Sequence, residues 1–591
     1  MPHALEAPFA LLQRVYASVF GVRDGWLEHA SDASRIASLA IFLGVAGGLA
    51  LLICERSLRG RAVAAFAGMA GLVLAFCLMT GGLEDVQIHI HRVAAFAGQL
   101  REGMPGLMLV DPVSGEGLPV FVFYSPLPYV LPILLDLAGL PAMFAYRLSL
   151  AAYFCLFALG LYRLTLAQAR AADAAAAREP SFLAASLFLG CAYIAGIWAV
   201  RSAFAEIVVL CLVPWAVLLL REGGRWRLAC ILAAQMASHP IVFPQAFLAT
   251  ILLGLGLSDR PPLALLRRLV LPTIGALALS SPFWAPQVLW EPAIGGAAAT
   301  PFQFRDSFFS WRGMLHPVDH HNLGPWFLLA LLALLVQVVR HRRATGWRGA
   351  MLGLAFAASI AMQLEILRPL TLSLPFLERG QFIWRMMSLA ALLGFGALLL
   401  GWRDIPRRTF RLLCCATAAN LVVMVALLGG HKAALILAFA PDQAYRTDYP
   451  SYNTPAFHLG FGFSEFYPNY AALPETCPAI GAAPPEPVSY AAARGGVVVH
   501  GPILAMPRGP LRFVSYRLDD RPLLPAGRCG DDLVFGPLDG AGRFLVDEGR
   551  IALLFWVRLV VGFAIIAGAA LAIGAGPRRS PGRDAMASPG A

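Results

Sequence analysis

The stretch Gly81-Gly82-Leu83-Glu84-Asp85-Val86-Gln87-Ile88-His89-Ile90-His91-Arg92 sets carboxylates, imidazoles and a guanidinium at the mouth of an apolar run. Ionisable groups are costly to keep beside a lipid-length segment, so they mark a candidate functional site. Asp85, His89 and Arg92 follow one another at four and three residues, on one face of a helix that the pattern predicts over 86–101. A carboxylate in this setting suits proton transfer, and the basic groups suit an anion such as phosphate. Each also has a plainer reading. Asp85 is well placed as a helix N-cap, and His89 and Arg92 as partners of lipid headgroups.

Other polar candidates are Tyr124, Arg201, Glu206, His239, Arg379, Gln381 and Arg385. Arg379 and Arg385 read equally as phosphate ligands or as arginines that snorkel to the interface. His316, Asp319, His320 and His321 are metal ligands by type, but Pro317 points to a loop with a solvated role. No cofactor is expected, and a divalent metal is the lesser alternative. Phosphate loops, dinucleotide fingerprints, nucleophile elbows and HExxH are all missing from the sequence.

The elements that must position these residues are apolar. The 591 residues are 58% hydrophobic and 14% charged, with mean hydropathy +0.68. This composition indicates a polytopic α-helical membrane protein. Continuous rather than alternating apolar runs exclude a transmembrane barrel. Spans are expected near 36–54, 62–80, 142–166, 181–199, 204–220, 227–240, 241–257, 269–288, 323–339, 349–366, 384–401, 411–430 and 551–575. That makes about 13 crossings. Proline-rich 126–140 reads as a re-entrant or interfacial segment, and 227–257 as two short helices broken at His239-Pro240.

The net charge of +11 does not point to nucleic acid, because the arginines cluster in short loops between apolar runs. That asymmetry is the positive-inside pattern. It places those loops and the C-terminus in the cytoplasm and the N-terminus outside. With this topology, the candidate residues from distant parts of the chain all face the external side. A secretory signal is not apparent, and 1–35 reads as an N-terminal interfacial segment. Residues 36–430 form the transmembrane domain, with a first external loop at 81–141. Residues 431–550 form a small external β-rich domain, marked by runs such as Val497-Val498-Val499 between turn residues. A final helix at 551–575 and a cytoplasmic tail at 576–591 follow. Cys477 and Cys529, alone among the cysteines, fall in the external domain and are candidates for a disulfide.

Several motifs together resemble a bacterial membrane-protein family labelled 6-pyruvoyl-tetrahydropterin synthase-related, similar in organisation to GT-C glycosyltransferases and YfhO-like proteins. They are Asp85-x-x-x-His89-x-x-Arg92, Phe123-Tyr124-Ser125-Pro126-Leu127-Pro128-Tyr129, Arg201-Ser202-Ala203-Phe204-Ala205-Glu206, Ser238-His239-Pro240 and Gln381-Phe382-Ile383-Trp384-Arg385. The resemblance covers roughly 80–480, with Ile383 where the family motif has proline and an additional span at 36–54. Nothing in the sequence suggests pterin chemistry. The resemblance implies a GT-C-like fold and sugar transfer from a polyprenyl-phosphate-linked donor to a glycan, lipid or protein acceptor, in cell-envelope polysaccharide assembly. It implies Asp85 as the general base or acceptor-orienting group, with Arg201 and Arg385 neutralising the leaving phosphate. The alternative is a non-catalytic component of polysaccharide assembly or lipid translocation on the same scaffold. A secondary transporter ranks third, because such proteins favour midplane sites and internal repeats, and no repeat is visible here.

Overall fold

The computed structural model describes, apart from short gaps, residues 61–80, 86–110, 117–171, 178–290, 305–315, 321–341, 346–374 and 383–424, the strands between 486 and 547, and 549–575. The expected segments 1–35, 36–54 and 576–591 lie outside the described residues.

Among the described residues, five helices are long and apolar enough to cross a membrane. The helical part opens with α1 (Arg61–Thr80) and α2 (Val86–Arg101). The two-residue strands β1 (Leu109–Val110) and β2 (Gly117–Leu118) pair as a short antiparallel hairpin. Two short helices follow, α3 (Val120–Phe123) and α4 (Val130–Leu137), separated by a 3-10 turn over Leu127–Tyr129. An eight-residue helix such as α4 extends only about 12 Å, far less than a bilayer. Segment 126–140 is therefore a short packed element, as its prolines suggest. Arg101 from α2 holds the Asp136 carboxylate of α4 at 2.5 Å.

The long α5 (Ala142–Ala171) comes next. The expected span at 181–199 is broken. α6 (Arg178–Gly190) stops at extended Cys191, α7 (Ala192–Gly196) resumes, and a π turn runs over Ile197–Arg201. Glycine at 190 permits close approach of α1, since a Cβ there would sit 2.7 Å from the Met69 sulfur. α8 (Phe204–Glu222) is buried along nearly its whole length, at the centre of the bundle. α9 (Arg225–Ser238) and α10 (Phe243–Leu257) are the two short helices expected around His239. The expected span 269–288 is instead two helices, α11 (Pro262–Leu279) and α12 (Ser281–Trp290), broken at Ser280 beside Pro282.

α13 (Trp311–Met314), α14 (Pro325–His341), α15 (Gly346–Ala361), α16 (Arg368–Leu372), α17 (Met386–Gly401) and α18 (Arg407–Met424) follow. α17 is almost wholly buried, with Phe395 stacked on Phe188 of α6 at 4.8 Å between ring centres. The outer helices turn large apolar residues outward instead. Val270, Leu271 and Ile274 on α11 are exposed, as are Leu332 and Leu335 on α14. Large apolar residues turned outward in this way fit lipid better than water.

Among the described residues, the β-rich region forms two four-stranded sheets. The first has order β4 (Val497–Val499), β10 (Gly542–Asp547), β6 (Ser515–Leu518), β7 (Arg521–Leu523). The second has order β3 (Glu486–Pro487), β5 (Leu504–Pro507), β9 (Asp532–Phe535), β8 (Gly527–Cys529). All pairings are antiparallel except β3 with β5. β10 alternates inward and outward, so Phe544 and Val546 are buried. Phe535 of the second sheet meets Tyr516 and Phe544 of the first at 5.0 and 5.3 Å, which packs the sheets face to face. β10 leads directly into the last helix, α19 (Gly549–Gly574).

Arg558 fastens α19 to the bundle. It is almost fully buried and donates to the carbonyls of Phe121, Val122, Pro282 and Phe283. Two of these carbonyls lack a helical donor for a covalent reason. The residues four positions on from Val122 and Pro282 are Pro126 and Pro286, which have no N–H. The guanidinium supplies what the prolines cannot.

Candidate functional site

The π turn ends on Arg201, and the chain then turns through Ala203 into α8. This geometry sets Glu206, in the first turn of α8, opposite Arg201. A carboxylate is favoured there by the helix dipole. Arg201 donates to both Glu206 oxygens, at 3.2 and 3.5 Å. Arg385 closes the 3-10 turn Ile383–Arg385 that starts α17, and its Nε donates to Glu206 Oε1 at 2.7 Å. The three side chains are 5%, 3% and 9% exposed for Arg201, Glu206 and Arg385. Trp384 stacks under the Arg201 guanidinium at 3.9 Å, and the His321 ring lies 4.8 Å from that of Trp384.

A second group adjoins the first. The His89 ring nitrogen Nδ1 lies 2.5 Å from the Tyr129 hydroxyl, and Arg92 donates to the same hydroxyl at 2.9 Å. The Phe204 N–H, at the start of α8, donates to His89 Nε2 at 3.4 Å. Burial first, then Arg92 and Arg201, hold the His89 imidazole well below its usual pKa, so it is neutral. Because Nε2 accepts, the single ring proton sits on Nδ1 and is donated to Tyr129. Arg92 also lies over the Tyr124 ring at 4.2 Å, and Tyr124 meets the His239 ring edge-on at 5.9 Å. Ser125, beside Tyr124, donates to the Ala237 carbonyl at the end of α9, which fixes this loop against the His239 turn.

His239 joins the two groups. Its pKa is lowered to about 4, by burial first and then by Arg385, with Arg201 acting in the same direction and Glu206 opposing. Its Nδ1 is buried with no hydrogen-bond partner among the described residues. His89, Arg92, Tyr124, Arg201, Glu206, His239 and Arg385 therefore share one neighbourhood, although they come from α2, the α3 loop, the π turn, α8, the α9–α10 turn and the 3-10 turn before α17. Asp85, Arg379 and Gln381 lie outside the described residues, as do His316, Asp319, His320 and Cys477; for Cys529 only the strand position is described. No group of three metal-ligating side chains occurs among the described residues. Tyr129, Trp384 and Phe204 belong to the site but were not candidates in the sequence. Their signal was adjacency, since each stands within a motif that carries a charged candidate or Tyr124.

The opposite ends of the same helices hold arginines instead. Arg411 grips Glu179 at the start of α6, and Arg348 pairs with Asp259 at 3.1 Å. Arg227 donates to the Ala572 carbonyl at 2.6 Å, and Arg163 to Ile573 at 3.3 Å. These last two satisfy open carbonyls at the C-terminus of α19. The bundle thus has a mixed-charge, aromatic end and an arginine end. Compared with known proteins, the chain matches no family model and no curated protein.

Proposed function

We propose that this chain is a polytopic inner-membrane protein of about 13 crossings, GT-C-like in organisation, that transfers a sugar from a polyprenyl-phosphate-linked donor to an acceptor at the external face. The observation that carries the reading is the gathering of Arg92, Arg201 and Arg385, from three distant segments, at one end of an apolar bundle. Among the described residues Glu206 is the one carboxylate within this neighbourhood. Asp85 adds a second from the sequence and still leaves it cationic, with His89 and His239 neutral. A buried cationic neighbourhood beside apolar helices suits a phosphate whose tail stays in lipid.

In this reading the acceptor hydroxyl oxygen bonds to the anomeric carbon as the carbon–oxygen bond to phosphate breaks. The phosphate leaves with the bonding electrons, and the acceptor proton passes to Asp85. Arg201 and Arg385 stabilise the charge that develops on the leaving oxygen. The sheet pair, expected outside with the rest of 431–550, precedes the N-terminal end of α19 in the chain. The non-catalytic reading keeps a place because Glu206 is closed on both sides by guanidiniums, the arrangement of a structural brace.

The test compares binding of polyprenyl phosphate with binding of the matching polyprenol, which lacks the phosphate, to the full-length protein in nanodiscs. Phosphate-dependent binding that weakens about tenfold in Arg385→Ala, with partial rescue in Arg385→Lys, supports the reading. Equal retention of both lipids by the unaltered protein overturns it.

A further inference from the structure

The arginine end carries a feature that the proposed reaction does not use. α8 ends at Glu222 and is closed by Gly223, whose left-handed φ of +92° lets its N–H reach back to the Leu219 carbonyl. The turn brings the start of α9 beside the start of α11, and these two helices pack along one another. Neither helix start has a side-chain cap. Both positive dipole ends therefore face the same region.

Arginines collect there. Arg260 Nε and Arg268 Nη1 both donate to the Arg221 carbonyl, at 3.3 and 3.5 Å. Arg268 lies within electrostatic range of Arg260 and Arg225. Nη1 of Arg221 is buried with no hydrogen-bond partner among the described residues. The local carboxylates do not balance this charge. Asp259 pairs with Arg348 and also acts on Arg221, as Glu222 does; these two carboxylates stand against Arg348, Arg221, Arg225, Arg260 and Arg268, which leaves the cluster cationic. Like charges held this close are unfavourable unless an anion sits among them.

The surroundings identify the anion. Trp226 is 54% exposed beside Arg225, and Leu263 and Leu266 are exposed on the first turns of α11. Leu266, Val270 and Ile274 continue down the same face at four-residue steps, all exposed. An apolar track that begins at an arginine cluster fits a molecule with a charged head and acyl chains. A free anion would leave the track unused.

We propose that the Arg221, Arg225, Arg260 and Arg268 cluster is a binding site for the headgroup phosphate of an anionic phospholipid, with its acyl chains along the exposed face of α11. This rests on the membrane reading but not on the glycosyl-transfer reaction. Trp226 serves as the interfacial anchor.

Native mass spectrometry of the detergent-solubilised full-length protein, titrated with phosphatidylglycerol or phosphatidylcholine, tests the site. Phosphatidylglycerol should be retained preferentially. Arg260→Gln with Arg268→Gln should weaken it about thirtyfold, at roughly 1 kcal/mol per arginine. Arg260→Lys with Arg268→Lys should recover most of the binding and shows that loss is not misfolding. A control pair at the same end, Arg170→Gln with Arg408→Gln, should change little. Equal losses in both glutamine pairs would reduce the effect to general surface charge and overturn the site. Displacement of the lipid by millimolar inorganic phosphate would make the ligand a free anion and overturn it as well. A protein that leaves the membrane fraction without detergent would instead defeat the membrane reading itself.

Discussion

Glu206 is bridged by arginines from two distant segments of the chain. It pairs with two buried guanidiniums, Arg201 and Arg385. Breaking such a buried pair by removing one partner typically costs about 3–5 kcal/mol. Glu206→Gln should therefore lower the thermal midpoint of the solubilised protein markedly, while a substitution at exposed Asp259 should not. His239 adds a pH dependence of known sign. Its folded-state pKa of about 4 lies below the ordinary histidine value. Protons then bind the unfolded chain preferentially between the two values. The stabilisation is fully present above the ordinary histidine pKa and is lost as pH falls toward 4, with a total on the order of 3 kcal/mol. Thermal midpoints measured across this window should fall with acid, and the slope should flatten in His239→Gln. The charged members of this site were legible in the sequence because charge is conspicuous in apolar surroundings. Tyr129 and Trp384 were not, because an aromatic residue in an apolar run reads first as filler.

At the scale of elements, helix positions follow from apolar run length, as the close agreement of the expected 204–220 with α8 and of 384–401 with α17 shows. Breaks are harder to read. The π turn at Ile197–Arg201 leaves no mark in the residues before Arg201, which are apolar throughout. Yet it is this turn that aims Arg201 at Glu206, and π turns are frequent at functional sites. The break between α11 and α12 had a visible sign in Pro282 and Pro286, but the apolar run across it outweighed them. Arg558 was not singled out in the sequence, although a charge within the last span demands partners; the structure supplies them as four carbonyls. Arg558→Met should free four carbonyls, two of them with proline in place of the helical donor. Amide exchange over residues 121–129 should accelerate by tenfold or more while the sheets, on the far side of α19's first turns, keep their protection.

For the whole molecule, the two ends of the bundle differ in chemistry, and this difference ties topology to function. The site, the loop fixed by Ser125 and the sheet pair lie toward one end, and the arginine contacts at Glu179, Asp259 and Ala572 toward the other. If the arginine end is cytoplasmic, the sheets lie in an oxidising compartment, and Cys477 and Cys529 should be bridged. Non-reducing peptide mapping of protein purified from membranes checks this, and free thiols at both positions would count against an external sheet region. The sequence announced the membrane character and the charge asymmetry, because both are summed over many residues. It could not announce the face-to-face packing of the sheets, which depends on pairing between Tyr516, Phe535 and Phe544. The most direct measurement is sugar transfer by the purified protein in nanodiscs from a polyprenyl-phosphate-linked hexose, with Asp85→Asn as the comparison. Asparagine caps a helix about as well as aspartate but cannot take a proton. Glycosyl transfer should fall roughly a hundredfold or more in Asp85→Asn, with an unchanged thermal midpoint. Full transfer by a normally folded Asp85→Asn protein would contradict the account.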